Sequence, residues 1–109
     1  MEFNIIPDSE ALRKCAWCRD YISDDMEVFG LGAKLDSKVD LSEYEGHCIQ
    51  IDLVSASKPV YMIVTAPDSD AKNDGKDGMF LVCSEKCLKK LKNSLEKDIA
   101  LGQMFKTVL

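Results

Sequence analysis

Cysteine spacing carries the clearest chemical signal in this chain of 109 residues. Four of its five cysteines form two close pairs, Cys15 with Cys18 and Cys83 with Cys87. Tetrahedral zinc takes four thiolates at about 2.3 Å, and a CxxC turn presents two of them from a few residues of backbone. The second pair suits the first turn of a helix, because residues four apart lie on the same helix face. The pattern predicts one structural Zn²⁺ bound by all four thiolates.

Two other interpretations of these cysteines stay open. The four thiols could be buried and reduced without binding a metal, or Cys15 and Cys18 could form a reversible redox pair. A thioredoxin-like CxxC follows a buried strand, whereas Cys15 follows the largely polar run 8–14. Because the number of cysteines is odd, a complete disulfide framework is excluded. Zinc is therefore the first expectation and redox chemistry the second.

His47 and Cys48 are the residues most suggestive of catalysis, since a Cys–His pair can supply an activated nucleophile. Neighbouring residues of a strand point to opposite faces of a sheet, so the imidazole and the thiol are expected to be separated. We expect His47 to be a structural histidine near the start of a strand and Cys48 to be a spare thiol on the more polar face. The chain also contains no GxSxG, P-loop, HExxH or GxGxxG motif. The sequence therefore predicts a protein that is not an enzyme.

Four segments are predicted to be strands, and a helical stripe follows them. Alternation of apolar and polar residues predicts the strand at 47–54, a continuous apolar run predicts the one at 60–64, and the segment 26–33 could be one strand or a pair of short ones. The strands are expected over residues 26–33, 47–54, 60–64 and 79–82. The helix is expected to begin at Ser84, a good N-cap, and to end near Gly102. Its apolar stripe, which should pack on the sheet, consists of Leu88, Leu91, Leu95 and Ile99.

Two further segments lack such a pattern. Residues 67–78, rich in Asp, Lys and Gly, are predicted to form a solvated, mobile hairpin loop. The tail could either cap the core or stay exposed and pair with a partner or with a second copy of the chain. Its apolar residues, which do not continue the helical stripe, are Met104, Phe105, Val108 and Leu109.

The run from Val82 to Leu88, VCSEKCL, resembles the CSxxC half of the TRASH, MYM-type and FCS zinc fingers of the treble-clef class. By this resemblance the segment 15–18 is the zinc knuckle, and the site is an all-thiolate zinc site between a hairpin and a helix N-terminus. Such modules commonly mediate protein contacts, and some are proposed to sense or carry metal. Val82 stands where an aromatic residue is expected, and Arg19 stands where glycine is common. The 64 residues between Cys18 and Cys83 indicate an inserted sheet.

The predicted fold class is α+β. A treble-clef-like four-cysteine zinc site closes a small, mostly antiparallel sheet against one long C-terminal helix. The whole chain, 1–109, is expected to form a single zinc-binding domain. Its parts are the knuckle at about 15–35, the β insert at about 36–82, the CSxxC helix at about 83–102 and the apolar tail at 103–109.

Charge and hydropathy limit the partners that we expect. The formal net charge is −5, and an acidic chain lacks the cations that neutralise phosphates, so nucleic acid is a poor partner. No run approaches the roughly 18 apolar residues of a membrane span. The acidic start of the chain, 1–14, does not resemble a secretory signal. The expectation is a cytoplasmic protein that does not act at a membrane.

The expected function is that of a non-enzymatic structural zinc domain that contacts an unidentified protein partner, with a homodimer as a further candidate. One alternative is a metal- or redox-responsive thiol protein that uses the same cysteines. A second alternative is nucleic-acid contact through a lysine face of the helix, which otherwise is simply its solvated side. The lysines of this face are Lys86, Lys89, Lys90 and Lys97.

Overall fold

Six strands and one long helix form the framework of the computed structural model, which describes residues 4–7, 12–23, 25–102 and 104–108. The strands are β1 (Asn4–Ile6), β2 (Phe29–Leu35), β3 (Cys48–Leu53), β4 (Lys58–Val64), β5 (Gly78–Val82) and β6 (Phe105–Val108). The helices are a 3-10 turn (Ser42–Tyr44), the short α1 (Asp70–Asn73) and the long α2 (Glu85–Ala100).

The strands form one sheet in the order β1-β3-β4-β5-β2-β6, and every neighbouring pair is antiparallel. The α+β class and the antiparallel sheet expected from the sequence are confirmed. β2 and β5 are adjacent, with Leu31 opposite Phe80, although residues 36–77 separate them in the chain. The long middle segment therefore begins and ends at one strand pair, and it adds β3 and β4 to the sheet beside β5.

Every second residue of β3 and β4 is buried, and these residues determine which face of the sheet packs against the core. Ile49 lies opposite Met62 and Ile51 opposite Val60, and all four side chains are almost fully buried. Cross-strand partners share a face, so these residues form an apolar layer on one side of the sheet. Leu91 and Leu95 of α2, both 0% exposed, belong to the same core, and α2 contacts β2, β3, β5 and β6.

The long helix begins and ends as the sequence predicts. Ser84 is the N-cap, and its hydroxyl accepts a hydrogen bond from the amide of Cys87 at 3.2 Å. This bond satisfies one of the amides that a helix N-terminus leaves without a partner. Gly102, with φ +74°, follows the last turn in the left-handed conformation that favours glycine.

The buried stripe of α2 differs in part from the expected one. Leu91 and Leu95 are central to it, but Leu88 and Ile99 are only partly buried. Asp98, 2% exposed, is buried at the C-terminal end instead. Its carboxylate accepts hydrogen bonds from the amides of Val54 and Ser55, at 3.1 and 2.8 Å, and so holds the turn between β3 and β4. An apolar pattern does not reveal a buried carboxylate that serves a distant turn.

Two predicted segments need correction, and one strand was not predicted. The strand expected at 26–33 is β2, which begins at Phe29 and extends to Leu35. Residues 67–78 are not wholly a loop, because Ser69 caps α1 by accepting a hydrogen bond from the amide of Lys72. The short strand β1 was not expected, and it pairs with β3 at the edge of the sheet.

The C-terminal tail is a strand that belongs to the sheet. β6 pairs with β2, and Phe105, 2% exposed, packs in the core with Phe80 at 6.2 Å between ring centroids. Of the two expectations for the tail, capping the core is the one that these described residues support. Leu109 lies outside them. In the part of the chain that is described, no helix combines the length and the apolar character that crossing a membrane requires.

Candidate metal centre

The first cysteine pair lies on a tight hairpin. Lys14 bridges to Tyr21, and the amide of Cys15 donates to the carbonyl of Asp20 at 2.9 Å. Arg19 turns the chain back with φ +65°, and its amide donates to the Cys15 carbonyl at 2.9 Å. This left-handed conformation explains why glycine is common after such a turn, since a side chain there carries a steric cost. The hairpin nevertheless forms with arginine at this position.

The second cysteine pair lies where β5 ends and α2 begins. Cys83 follows Val82, the last residue of β5, and Cys87 lies in the first helical turn. The hydrogen bond that the Ser84 hydroxyl accepts from the amide of Cys87 fixes this junction. The sulfurs of Cys83 and Cys87 lie 3.9 Å apart. The expected arrangement, with one cysteine before the helix and one in its first turn, is confirmed.

The fold brings the two pairs together although they are far apart in sequence. The sulfurs of Cys15, Cys18, Cys83 and Cys87 all lie within 4.8 Å of one another. Cys18 Sγ is 3.6 Å from Cys83 Sγ. Four sulfurs at about 2.3 Å from a central ion in tetrahedral geometry are separated by about 3.8 Å. The cluster therefore has the dimensions needed to hold one metal ion.

Three contacts fasten the CxxC hairpin to the sheet. The amide of Ala16 donates to the carbonyl of Leu81 at 2.7 Å. Only Ile63 and Val64 of β4 pair directly with β5, so at Leu81 the hairpin takes the place of the neighbouring strand. This contact sets the distance between the first cysteine pair and Cys83, because Leu81 is two residues before it.

The other two contacts between the hairpin and the sheet are made by cationic side chains that lie over aromatic rings. Lys58 donates a hydrogen bond to the carbonyl of Trp17, and its Nζ lies 4.1 Å from the centre of the Trp17 ring. Arg19 donates to the carbonyl of Pro59 at 3.2 Å, and its guanidinium lies 4.5 Å from the centre of the Tyr61 ring. Both tie residues of the turn to the start of β4 and combine hydrogen bonding with cation–π attraction.

Electrostatics within the cluster are uneven. Burial raises the pKa of the Cys15 thiol, but three amide hydrogen bonds to its sulfur more than offset this and lower the pKa from 9.0 to about 7. The amides belong to Cys18, Cys83 and Trp17. Burial and the nearby Cys15 charge raise the pKa of Cys18 and of Cys83. A metal ion would supply the positive charge that lets all four sulfurs ionise together.

Other residues singled out by the sequence lie outside this cluster. Cys48 lies in β3 on the same face as Gln50 and Asp52, as the alternation predicts, but its own side chain is buried, with 2% exposed. Its cross-strand partner is Ile63 of β4. His47 lies just before β3, as expected, and is exposed. The predicted lysine face of α2 is exposed along its length.

Lys58 and Tyr61 are the residues of this site that sequence reasoning missed. Lys58 and Tyr61 lie 40 and 43 positions after Cys18, the last residue of the CxxC turn that they help to support, and no local spacing links them to it. Arg19 carried a partial signal, because its departure from glycine indicated an unusual position.

No protein-family model, no curated protein and no solved structure matches this chain. The cysteine cluster and the elements that position it are the features of the described residues that indicate a function.

Proposed function

We propose that this protein is a non-enzymatic domain with one structural zinc ion, bound by Cys15, Cys18, Cys83 and Cys87. The observation that carries the proposal is the mutual approach of four sulfurs to within 4.8 Å, from two segments 64 residues apart. A zinc ion there would join the hairpin to the start of α2. An all-sulfur tetrahedral set favours zinc or iron over oxygen-preferring metals such as magnesium and calcium.

Topology supports a treble-clef arrangement for this site. One pair of ligands comes from a hairpin turn, and the other comes from the N-terminus of the helix that follows β5. The strand pair β2–β5 corresponds to the hairpin that leads into the helix, and residues 36–77 are an insertion within it. This is the arrangement implied by the likeness of VCSEKCL to the TRASH, MYM-type and FCS fingers.

The donor set supports a structural role rather than a catalytic one. Catalytic zinc keeps a coordination position for water, whereas four thiolates complete a tetrahedral shell. Two cavities of about 280 and 230 Å³ lie elsewhere on the described surface, and neither a cysteine nor His47 lines them. The cysteine cluster is therefore not part of either cleft.

Native mass spectrometry of the purified chain tests the metal. The expected result is one zinc ion per chain, lost in Cys83→Ser and retained in Cys48→Ala, which changes the cysteine outside the cluster. Protein purified without metal, or with iron at this site, would contradict the proposal. Equal zinc content in both variants would also contradict it, because the ion would then be bound elsewhere.

We further propose that the surface around the CxxC hairpin contacts a protein partner. Four large apolar side chains within residues 12–28 are 44–57% exposed. The proposal is that they form one contiguous apolar patch, which is the kind of surface that marks contact sites. They are Leu12, Tyr21, Met26 and Val28.

Comparison of surface variants tests the proposed contact. Tyr21→Ser combined with Val28→Ser should remove proteins captured specifically by the intact chain, or should dissociate a dimer if the partner is a second copy. Leu101→Ser is the matched control, because Leu101 is 58% exposed and lies at the opposite end of α2 from Cys83 and Cys87. If the intact chain, the double variant and the control variant capture the same proteins and have the same oligomeric mass, this surface does not contact a partner.

A further inference from the structure

The four sulfurs differ sharply in their access to solvent. Cys15 is 0% exposed and Cys87 is 9% exposed, whereas Cys18 is exposed and Cys83 is partly exposed. The two accessible cysteines are neighbours, since Cys18 Sγ lies 3.6 Å from Cys83 Sγ. The cluster thus has a buried half and a half that soluble reagents can reach.

We propose that Cys18 and Cys83 form an oxidation site, at which a small peroxide converts the two outer ligands into a disulfide and releases the metal ion. This inference rests on the proposed function, since the ion released is the structural zinc. It assigns different roles to four cysteines that are equivalent as zinc ligands.

The reaction proceeds in two balanced steps. The Cys18 thiolate attacks one oxygen of hydrogen peroxide, the O–O bond breaks, and a sulfenic acid and a hydroxide ion form. The Cys83 thiolate then attacks the sulfenic sulfur, the S–O bond breaks, and a second hydroxide leaves. With hydrogen peroxide, two thiolates lose two electrons in total, and two water molecules result once both hydroxides are protonated. The ion retains two thiolates and dissociates.

Accessibility and proximity select this pair. While a metal is bound all four sulfurs are thiolates, so the exposed Cys18 reacts first because the oxidant can reach it. Cys83 is the accessible neighbour, and it is closer to Cys18 than it is to Cys87, at 3.6 against 3.9 Å. Cys15 is held in place by the amide of Cys18, which lies 3.5 Å from its sulfur, and it has no exposed surface.

The choice of pair has a structural consequence. A bond between Cys15 and Cys18 would close only the turn, and the hairpin would lose its link to the helix. A bond between Cys18 and Cys83 joins positions 65 residues apart and connects the hairpin to the end of β5. Such a crosslink keeps the hairpin beside α2 after the ion has left, because it replaces the metal as the covalent connection.

Crosslink mapping on the zinc-loaded full chain tests the proposal. Native mass spectrometry first establishes the bound zinc, and hydrogen peroxide is then added while a colorimetric chelator records released zinc. Remaining thiols are alkylated, and digestion with mass spectrometry identifies the disulfide. The expected result is a Cys18–Cys83 crosslink, one zinc ion released for each disulfide, and recovery of zinc binding after treatment with dithiothreitol.

The other outcomes of this experiment distinguish failure of the oxidation site from failure of the zinc site. A dominant Cys15–Cys18 or Cys83–Cys87 crosslink, or zinc retained under peroxide, would overturn this inference and leave the zinc proposal intact. Absence of zinc before oxidation would overturn the proposed function instead. Cys48→Ala should give the same crosslink and the same release as the unmodified chain, and a changed pattern would show that Cys48 takes part and would refute the assignment. The decisive map comes from the unmodified chain, so it does not depend on whether a variant folds.

Discussion

The two ends of α2 are held by different kinds of interaction. At its N-terminus, Cys83 and Cys87 face the CxxC hairpin through sulfur atoms that repel one another when ionised. At its C-terminal half, Leu95 packs in the apolar core, and the carboxylate of Asp98 accepts two amides of the turn between β3 and β4. One end is suited to a cation, and the other needs none.

Burial explains why the two ends differ in this way. The buried residues of the hairpin turn are the small Cys15 and Ala16, whereas the helix itself contributes the larger Leu91 and Leu95 to the core. Burying apolar area contributes roughly 25 cal/mol per Å², so small side chains contribute little. Dependence on the metal should therefore be local, and five predictions test this contrast.

Removal of the metal should have the largest effect, and only at one end. Structural zinc in finger peptides contributes about 10–16 kcal/mol of apparent binding free energy, more than any single side chain. After chelation, hydrogen exchange should lose protection at 12–23 and in the first turn of α2. Protection in β3 and β4 should persist. Uniform loss over the chain would show that the two ends form one cooperative unit.

Leu95→Ala should destabilise the chain whether or not zinc is bound. Leu95 is fully buried, and truncation of such a residue costs about 2–5 kcal/mol. Urea unfolding should show the same decrease in the zinc-loaded and metal-stripped forms. Leu101→Ala, at a position 58% exposed, is the control and should change the free energy of unfolding by less than about 0.5 kcal/mol. A decrease confined to the zinc-loaded form would contradict the proposed independence of the two ends.

Asp98→Ala should loosen the turn between β3 and β4 without changing zinc content. The substitution removes the acceptor of the Val54 and Ser55 amides, with an expected cost of about 1–3 kcal/mol. The hydrogen-exchange rates of the Val54 and Ser55 amides measure this loosening directly. Asp52→Ala removes an exposed carboxylate from the same strand pair and should leave both rates unchanged. A fall in zinc affinity in Asp98→Ala would mean that the ends are coupled through the helix.

Lys58→Met should weaken zinc binding while leaving the sheet intact. The variant keeps a long apolar side chain but loses the hydrogen bond to the Trp17 carbonyl and the charge over its ring. Residues that orient metal ligands typically change affinity by at least about 10-fold when mutated, and we expect a decrease near this lower limit. Competition with a chromophoric chelator measures the affinity. Lys92→Met, on the exposed side of α2, is the control, and equal affinities in the two variants would exclude a supporting role for Lys58.

The smallest expected effect is the pH dependence contributed by Asp77. Burial raises the pKa of this carboxyl, but Lys72 at 2.5 Å and the amide of Leu35 at 3.0 Å outweigh burial and lower it below 3.8. Because the folded pKa is the lower one, this stabilisation is complete above about pH 4 and is lost as the pH falls further. Metal-stripped protein should therefore lose stability in acid more steeply than Asp77→Asn. If the free energy of unfolding falls equally steeply with decreasing pH in the two proteins, the prediction is contradicted.

Local features of the site could be predicted from the sequence because they depend on neighbouring residues. CxxC and CSxxC spacing identified the four clustered cysteines, and Ser84 identified the start of α2. Period-two alternation located β3, and short apolar runs located β4 and β5, each to within one or two residues. Each of these patterns reflects geometry repeated over a few residues of backbone, which tertiary contacts only reinforce.

Only the tertiary structure decided which distant segments support the cluster and how exposed each sulfur is. Lys58 reaches Trp17 because β4 begins beside the hairpin, and Asp98 is buried because it lies under a turn 43 residues earlier. β1 and β6 are too short to carry a pattern, and they are strands because β3 and β2 offer edges with which to pair. Four cysteines that look alike in sequence become two buried and two accessible thiols, since burial depends on what the rest of the chain places around each one.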